Sequence, residues 1–152
     1  MAYWTYQVDP RNFQMEEMLI FFREHGELHG KDIAFQPRDG EKKIAKDDLV
    51  FLCETAAKRN PGVLGKARVT TPPKDIEGPE WQKKFWIGKA SDRRDLPRVG
   101  MEIVRVFNSR IPRSALSENP CLRDHPFAKG YRGTMRIMTE GEASELDRLA
   151  DR

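Results

Sequence analysis

The chain has 152 residues and a formal net charge of +3; 38% of its residues are hydrophobic and 34% are charged. This composition excludes a membrane-spanning protein and is typical of one soluble globular domain, which we expect to cover residues 1–152. We also expect a cytoplasmic location, since no long apolar run and no signal-peptide pattern occur and two cysteines cannot form a disulfide framework.

The positive charge is concentrated in one part of the chain. Residues 80–136 contain 13 Lys and Arg against 6 Asp and Glu, a surplus of +7, whereas the remaining residues have 14 against 18, a deficit of −4. Such asymmetry is typical of a surface that contacts phosphates, although a solvated cationic face has the same composition.

The N-terminal residues 2–8 predict a strand, because they are rich in aromatic and β-branched side chains and are followed by Asp9 and Pro10. Alternation along this strand places Trp4 and Tyr6 on the same face. For Trp4, a core position and a role as a stacking platform for a ligand are both open.

A helix is predicted to follow, capped by Asp9 or Asn12 and ended by Gly26. Its apolar stripe, spaced at i, i+3, i+4 and i+7, consists of Met15, Met18, Leu19 and Phe22. Residues 31–37 then predict a short strand with Phe35 on its apolar side.

The rest of the chain is expected to be built around a pair of buried strands at residues 49–52 and 63–69. The loop between them is polar and rich in turn residues. Its turn residues are Lys58, Arg59, Asn60, Pro61 and Gly62. Gly65 lies inside the second strand, which favours a β-bulge.

Residues 71–78 contain two adjacent prolines and predict a surface loop. Beyond this loop, the aromatic rings Trp81, Phe85 and Trp86 alternate with lysines. Rings beside amines fit two structures, a surface that stacks bases and a lid that covers one end of the sheet.

The C-terminal part predicts two strands and a closing helix. The strands are expected at residues 101–107 and within 130–137, and residues 114–127 between them predict an irregular stretch. Thr139 and Glu142 have the spacing of a capping box at the start of the helix. The order of elements therefore predicts a small α+β domain whose sheet curls toward a barrel.

Motifs for catalysis, cofactor binding or metal binding are not found in the sequence, so no catalytic residue, cofactor or metal is expected. Asp75, Glu80 and Lys83 combine carboxylates with a lysine, as in some metal nucleases, but their spacing is generic. A metal-dependent nuclease therefore stays an alternative function, as does a protein-interaction adaptor.

Three stretches together resemble the EVE domain, a member of the PUA-like superfamily related to YTH and ASCH domains. They are the Tyr3–Trp4 strand, DDLVFLCET with NPGVLGKARV, and IPRSALSENPCLRDHPFAKGYRGTMRIMTEGEASELDRL. The resemblance runs from Tyr3 to Leu149, although residues 31–37 lack the tryptophan-containing motif of other EVE proteins. It implies a PUA-like curled sheet or open β-barrel of about five to six strands flanked by helices.

The resemblance also implies a non-catalytic nucleic-acid-binding module that takes one flipped-out, modified base into a pocket, such as methylcytosine in DNA or a modified base in RNA. Flipping costs a few kcal/mol, which stacking of about 1 to 3 kcal/mol per base and edge hydrogen bonds can offset. The candidate pocket residues are Trp4, Tyr6 and Phe35 as rings and Thr55, Asn60 and Thr134 as edge contacts. The candidate contacts to the nucleic-acid backbone are Lys58, Arg59, Lys83, Lys84 and Arg132.

Overall fold

The computed structural model describes residues 1–29, 32–37, 43–55, 60–88, 97–131 and 134–151. In these parts of the chain, the predicted order of strand, helix, several strands and closing helix is found, with two further short helices. The elements are β1 (Tyr3–Val8), α1 (Met15–His29), β2 (Asp32–Phe35), β3 (Leu49–Glu54), β4 (Gly62–Lys74), α2 (Glu80–Lys83), β5 (Arg98–Pro112), α3 (Arg113–Ser117), β6 (Met135–Met138) and α4 (Glu140–Ala150).

The six strands form one mixed sheet in the order β2-β5-β4-β3-β1-β6. Strands β1 and β3 are parallel, and the other neighbours are antiparallel. The sheet is curled. Three strands separate β1 from β2 in the sheet, yet the ring of Tyr6 on β1 lies only 4.7 Å from the ring of Phe35 on β2. The predicted α+β fold, a curled sheet of six strands flanked by helices, is confirmed.

The sheet separates two hydrophobic cores. On the concave side, α1 and α2 cover side chains that alternate along the strands. This core includes Trp4, Tyr6, Val8, Met15, Met18, Leu19, Phe35, Val50, Leu52, Val69, Trp81 and Met101. On the convex side, α3, α4 and the segment between them cover Phe51, Cys53, Val63, Phe107, Leu116, Leu122, Phe127 and Leu146. The predicted apolar faces of β1 and α1 are thereby confirmed.

Asp48 fastens the N-terminal strand to the centre of the sheet. Its side chain is 2% exposed and accepts hydrogen bonds from the backbone N of Ala2 at 2.9 Å, the Nε1 of Trp4 at 3.0 Å and the backbone N of Ala45 at 2.9 Å. A buried carboxylate is stable only when such donors replace its hydration. The neighbouring Asp47 is exposed and has a φ of 74°, in the left-handed region.

Strand β2 lies at one edge of the sheet, and a side chain covers part of that edge. The Gln82 amide accepts a hydrogen bond from the Ala34 N through Oε1 and donates one to the Ala34 O through Nε2, both at 2.9 Å. Gln82 is 1% exposed. It therefore satisfies the same two backbone groups that a further strand would satisfy.

Three sequence predictions about element ends are wrong. Helix α1 begins at Met15, beyond the predicted caps Asp9 and Asn12. Helix α1 continues through Gly26 to His29, because an interior glycine costs a helix only about 1 kcal/mol, which the packing of its apolar face outweighs. The Phe22 ring lies 3.0 Å from the position that a Cβ at Gly26 would take, so the glycine leaves room for this ring. Strand β4 also extends through Pro72 and Pro73. At this end β4 pairs only with β5, so a missing proline N–H costs the ladder little.

The β-bulge predicted at Gly65 is confirmed. The pairing of β4 with β5 shifts register between Val63 and Gly65. A Cβ at Gly65 would lie 2.8 Å from the carbonyl oxygen of Arg105, so the two strands approach closely here. The capping box of α4 is also confirmed, with hydrogen bonds in both directions between Thr139 and Glu142.

His125 is a buried imidazole in residues 118–131, which follow α3 on the convex side of the sheet and which we call the convex segment. It connects this segment to β6. Its Nδ1 accepts a hydrogen bond from the Phe127 N at 3.1 Å, and its Nε2 lies 3.2 Å from the Ile137 O, so the neutral tautomer with hydrogen on Nε2 satisfies both partners. Burial lowers the pKa of His125, with a smaller opposing effect from Glu142 and a further lowering from Arg136.

We expect the protein to lose stability as the pH falls below about 6.5, because the unfolded state then binds a proton at His125 that the folded state does not. Urea unfolding at pH 7, 6 and 5 measures the slope of the unfolding free energy against pH. The variant His125→Gln should show a smaller slope over the same range. Equal slopes in both proteins would contradict the prediction.

Candidate functional site

Polar residues predicted to contact a base lie where β1 and β3 end. Thr55 follows β3, and both its backbone N and its Oγ1 donate to the Val8 O, at 2.9 and 3.3 Å. Thr134 precedes β6, and its carbonyl oxygen accepts a hydrogen bond from the Gln7 N at 2.9 Å. Because β1 and β3 are parallel and β6 is antiparallel to β1, these residues lie at the same end of the strands.

Asn60 also lies at this end of the strands, on the other side of β3. It precedes β4, which runs antiparallel to β3 and pairs Gly62 with Glu54 at the end of that strand. The Asn60 side chain is exposed. Thr55, Asn60 and Thr134, which we call the strand-end site, thus contribute two hydroxyls and one amide to one end of the sheet.

A charged network lies directly under the strand-end site. The Arg110 guanidinium donates to the carboxylate of Glu54 at 2.8 Å, to the carboxylate of Glu16 and to the backbone O of Asn60. Glu54 is fully buried, whereas the Arg110 side chain is 15% exposed. Burial opposes the charged form of Arg110, but the hydrogen bonds to Glu54 and Glu16 outweigh it and raise the pKa of Arg110.

The sequence analysis missed this network. The available signal is Glu54 itself, a carboxylate that ends an otherwise apolar strand and therefore needs a buried partner. Arg110 holds Asn60 by its backbone oxygen, so it positions one member of the strand-end site.

A second arginine and an exposed ring lie at the same end of the molecule. The Arg113 N donates to the Pro61 O at 2.8 Å, and its Nε donates to the Phe127 O at 2.8 Å. Burial lowers the pKa of Arg113. Tyr131 is 56% exposed, and its backbone O accepts a hydrogen bond from Nε2 of Gln7 at 3.2 Å. The exposed Tyr131 ring is therefore a candidate stacking surface. Its backbone is held by Gln7, the residue that follows the predicted ring Tyr6 in β1.

The rings predicted to stack on a base are core residues, and their assignment as stacking surfaces is corrected. Trp4, Tyr6 and Phe35 are 2%, 3% and 0% exposed. The indole of Trp4 donates to Asp48, and the Tyr6 hydroxyl donates to the Gln36 O at 3.4 Å. All three rings belong to the concave core, which α1 covers, and its close packing leaves no room for a base.

Trp86 is a better candidate for a stacking ring than these three. It is half-buried, its ring lies 4.6 Å from that of Phe13, and the neighbouring Ile87 N donates to the Asn12 O at 2.9 Å. Phe13 is one turn beyond the end of β1, since its N donates to the Asp9 O. Within the described residues, the indole N–H of Trp86 has no hydrogen-bond acceptor.

The lysines predicted to contact a nucleic-acid backbone have partners within the protein. Lys83 pairs with Glu80 at 2.7 Å and Glu77 at 3.8 Å, and the hydrogen bond to Glu80 raises the pKa of Lys83. The Lys84 Nζ lies 3.4 Å from the centre of the Phe21 ring. Neither has a contact with the strand-end site among the described residues. The other predicted contacts, Lys58, Arg59 and Arg132, lie outside these residues.

A cavity of about 460 Å³ adjoins the strand-end site. It lies between α1 and the last part of β5, and Asn60 and Arg110 line it. Two further statements hold for the described parts of the chain. No group of three or more His, Cys, Asp or Glu side chains is arranged to hold a metal ion, and no helix is long and apolar enough to cross a membrane.

Solved structures share this fold over nearly the whole chain. Human THYN1 in complex with DNA containing 5-methylcytosine is 13% identical, with a TM-score of 0.70 and coverage of 100% of this chain and 99% of that one. A hypothetical protein from Leishmania major gives a TM-score of 0.71 at 13% identity, covering 99% and 95%. The YTH domain of Mmi1 in complex with RNA gives 0.54 at 14% identity, covering 99% and 77%.

Sequence comparison gives a more specific result than these fold similarities. No curated protein has a significantly similar sequence. The family model described as the EVE domain, however, matches residues 2–148. This match includes all six strands, the strand-end site and the residues of the charged network, and so the chain belongs to the EVE domain family.

Proposed function

We propose that this protein is a non-catalytic nucleic-acid-binding module that recognises one modified, flipped-out base. The observation that carries the proposal is the strand-end site, in which Thr55, Asn60 and Thr134 place hydroxyl and amide groups at one end of an EVE-domain sheet. Human THYN1, which has the same fold, was solved with DNA containing 5-methylcytosine. The Mmi1 YTH domain, solved with RNA, supports the broader class of nucleic-acid binding.

The chemistry of the site suits a nucleobase. Hydroxyls and an amide can pair with the edge of a base. The Asn60 amide can both donate and accept, and the Thr55 hydroxyl, which donates its hydrogen to the Val8 O, can still accept. Tyr131 and Trp86 can offer ring faces, and stacking on such rings contributes about 1 to 3 kcal/mol per base. The surplus of 13 cationic over 6 acidic residues in 80–136 favours the phosphates on either side of that base.

A panel of labelled oligonucleotides tests this function. Plain, methylated and hydroxymethylated cytosine in DNA and RNA are compared by fluorescence anisotropy at two salt concentrations. We expect affinity for one modified oligonucleotide to exceed that for the plain one by about tenfold, as stacking and edge contacts of this size allow. Affinity should also fall with salt as counterions are released. A uniform, salt-insensitive response would overturn the proposal, and cleavage that requires Mg²⁺ would favour the nuclease alternative.

The variant Thr134→Val tests the strand-end site itself. It removes the hydroxyl but keeps the shape of the side chain and the carbonyl that binds the Gln7 N. We expect the preference for the modified base to fall about fivefold, the effect of one lost hydrogen bond, with little change in salt dependence. Thr71→Val, at the opposite end of β4, is the matched control. Unchanged preference in Thr134→Val would remove this residue from the site.

A further inference from the structure

We infer that the cavity between α1 and β5 is a second subsite, which receives the nucleotide next to the flipped base in the same strand. This inference rests on the proposed function and extends it from one nucleotide to two. It follows from the walls of the cavity, its charge and its continuity with the strand-end site.

One part of the cavity wall is apolar. Leu19 and Ile20 of α1 face Leu64 of β4 and Val106 of β5 across it. Ile20 is 36% exposed although it lies beside the concave core. A volume of about 460 Å³ lies within the range of small-molecule sites, which is about 300 to 1,000 Å³. Such walls suit the flat apolar faces of a base.

The rim of the cavity is polar. Asn60, Asn108 and Ser109 line it and are exposed, so two amides and a hydroxyl are available at its mouth. A base combines apolar faces with a polar edge, and ligand sites typically join apolar walls to a few such polar groups. The rim therefore complements the edge of a base whose faces meet the apolar walls.

The cavity carries charges of both signs, and one of its cations lies at the surface. Glu16 lines it, but its carboxylate is bound by the Arg110 guanidinium. Arg23, two turns further along α1, also lines the cavity and is exposed, so its guanidinium can reach a ligand at the mouth. Phosphate is the anion that adjoins every nucleotide, and a guanidinium binds it well.

Two residues connect the cavity to the strand-end site. Asn60 belongs to both, and Arg110 lines the cavity while it holds the Asn60 backbone O. A strand whose modified base enters the strand-end site therefore passes Asn60, and its neighbouring nucleotide reaches the cavity. Because this neighbour must leave a duplex stack to enter, the subsite favours single-stranded or locally unpaired nucleic acid.

Short oligonucleotides test the inference. The probes carry the modified base preferred in the panel above, beginning with 5-methylcytosine, as a nucleoside monophosphate, as the centre of a trinucleotide, and in a trinucleotide whose two neighbours are abasic. We expect the wild type to bind the complete trinucleotide about tenfold more tightly than the abasic one, which is the effect of one stacked base.

Two variants locate this effect in the cavity. Ser109→Trp fills the mouth, so it should lower affinity for the complete trinucleotide to that for the abasic one and leave affinity for the monophosphate unchanged. Arg23→Gln should weaken trinucleotide binding and reduce its salt slope by about 0.7, the value for one phosphate of a single strand. The matched controls are Ser144→Trp and Arg123→Gln, exposed positions of α4 and of the convex segment.

The results separate this inference from the proposed function. Wild-type affinity for the complete trinucleotide in both cavity variants would overturn the second subsite and leave the function intact. Equal wild-type affinity for the complete and abasic trinucleotides would do the same. If the wild type binds none of the modified-base probes, both the function and the subsite are overturned.

Discussion

Replacing Asp48 with alanine should lower the free energy of unfolding by about 3 to 5 kcal/mol, because three donors, one buried and two partly buried, lose the buried carboxylate that accepts from all of them. The donors are the backbone N atoms of Ala2 and Ala45 and the indole of Trp4. A domain of this size has a total stability of about 5 to 15 kcal/mol, so the loss is a large part of the whole. Chemical denaturation measures it, and thermal unfolding should shift down by about 10 °C.

The adjacent aspartate provides a control. Asp47 is exposed and has a φ of 74°, which is unfavourable for a residue with a Cβ. Asp47→Gly relieves this strain but increases the entropy of the unfolded chain, so its stability should lie within about 1 kcal/mol of wild type. If Asp48→Ala were as mild as Asp47→Gly, the role of Asp48 in fastening β1 would be refuted.

Replacing Arg110 with methionine should cost about 3 kcal/mol of stability, because Glu54 then keeps a carboxylate in the core without its guanidinium partner. The value is at the low end for buried ion pairs because the Arg110 side chain is 15% exposed and Glu16 is 33% exposed. Denaturant unfolding of the purified variant measures this cost. The preference for a modified base should weaken in parallel, since Arg110 also holds Asn60.

A double-mutant cycle separates the pair from its surroundings. With Glu54→Gln added, the charge that Arg110→Met leaves unpaired is gone, and we expect a coupling energy of about 2 kcal/mol between the two changes. Arg148→Met removes a guanidinium paired with Glu145 on the exposed side of α4, and should leave stability nearly unchanged. A coupling near zero for Glu54 and Arg110 would mean that the buried pair is not a unit.

Much of the fold could be predicted from local patterns. Alternation in β1 indicated which side chains face the core, and the spacing of Thr139 and Glu142 indicated the start of α4. The parallel pairing of β1 with β3 could not be predicted in this way, because periodicity describes a strand and not its neighbour. The ends predicted at Gly26 and Pro72 were wrong for a related reason, since packing of the apolar helix face and the number of partner strands determine where these elements end.

The site was only partly predictable. Thr55 and Thr134 flank strand ends, where polar residues commonly serve function, so their place in the sequence was informative. An aromatic residue in a strand, such as Trp4, can be a core residue or a platform on which a base stacks. Only the burial of Trp4 and its hydrogen bond to Asp48, which the structure shows, decide that it is a core residue. Arg110 meets Glu54 across 56 positions of chain, a contact that requires the register of three strands.

The amide of Gln82 affects how copies of this protein behave toward one another. An open sheet edge invites pairing by a foreign strand, which is a common route to aggregation. Since both backbone groups of Ala34 are already occupied, β2 cannot recruit another chain at that point. One glutamine side chain thus protects the molecule from self-association along this border, at the cost of a single ordered amide.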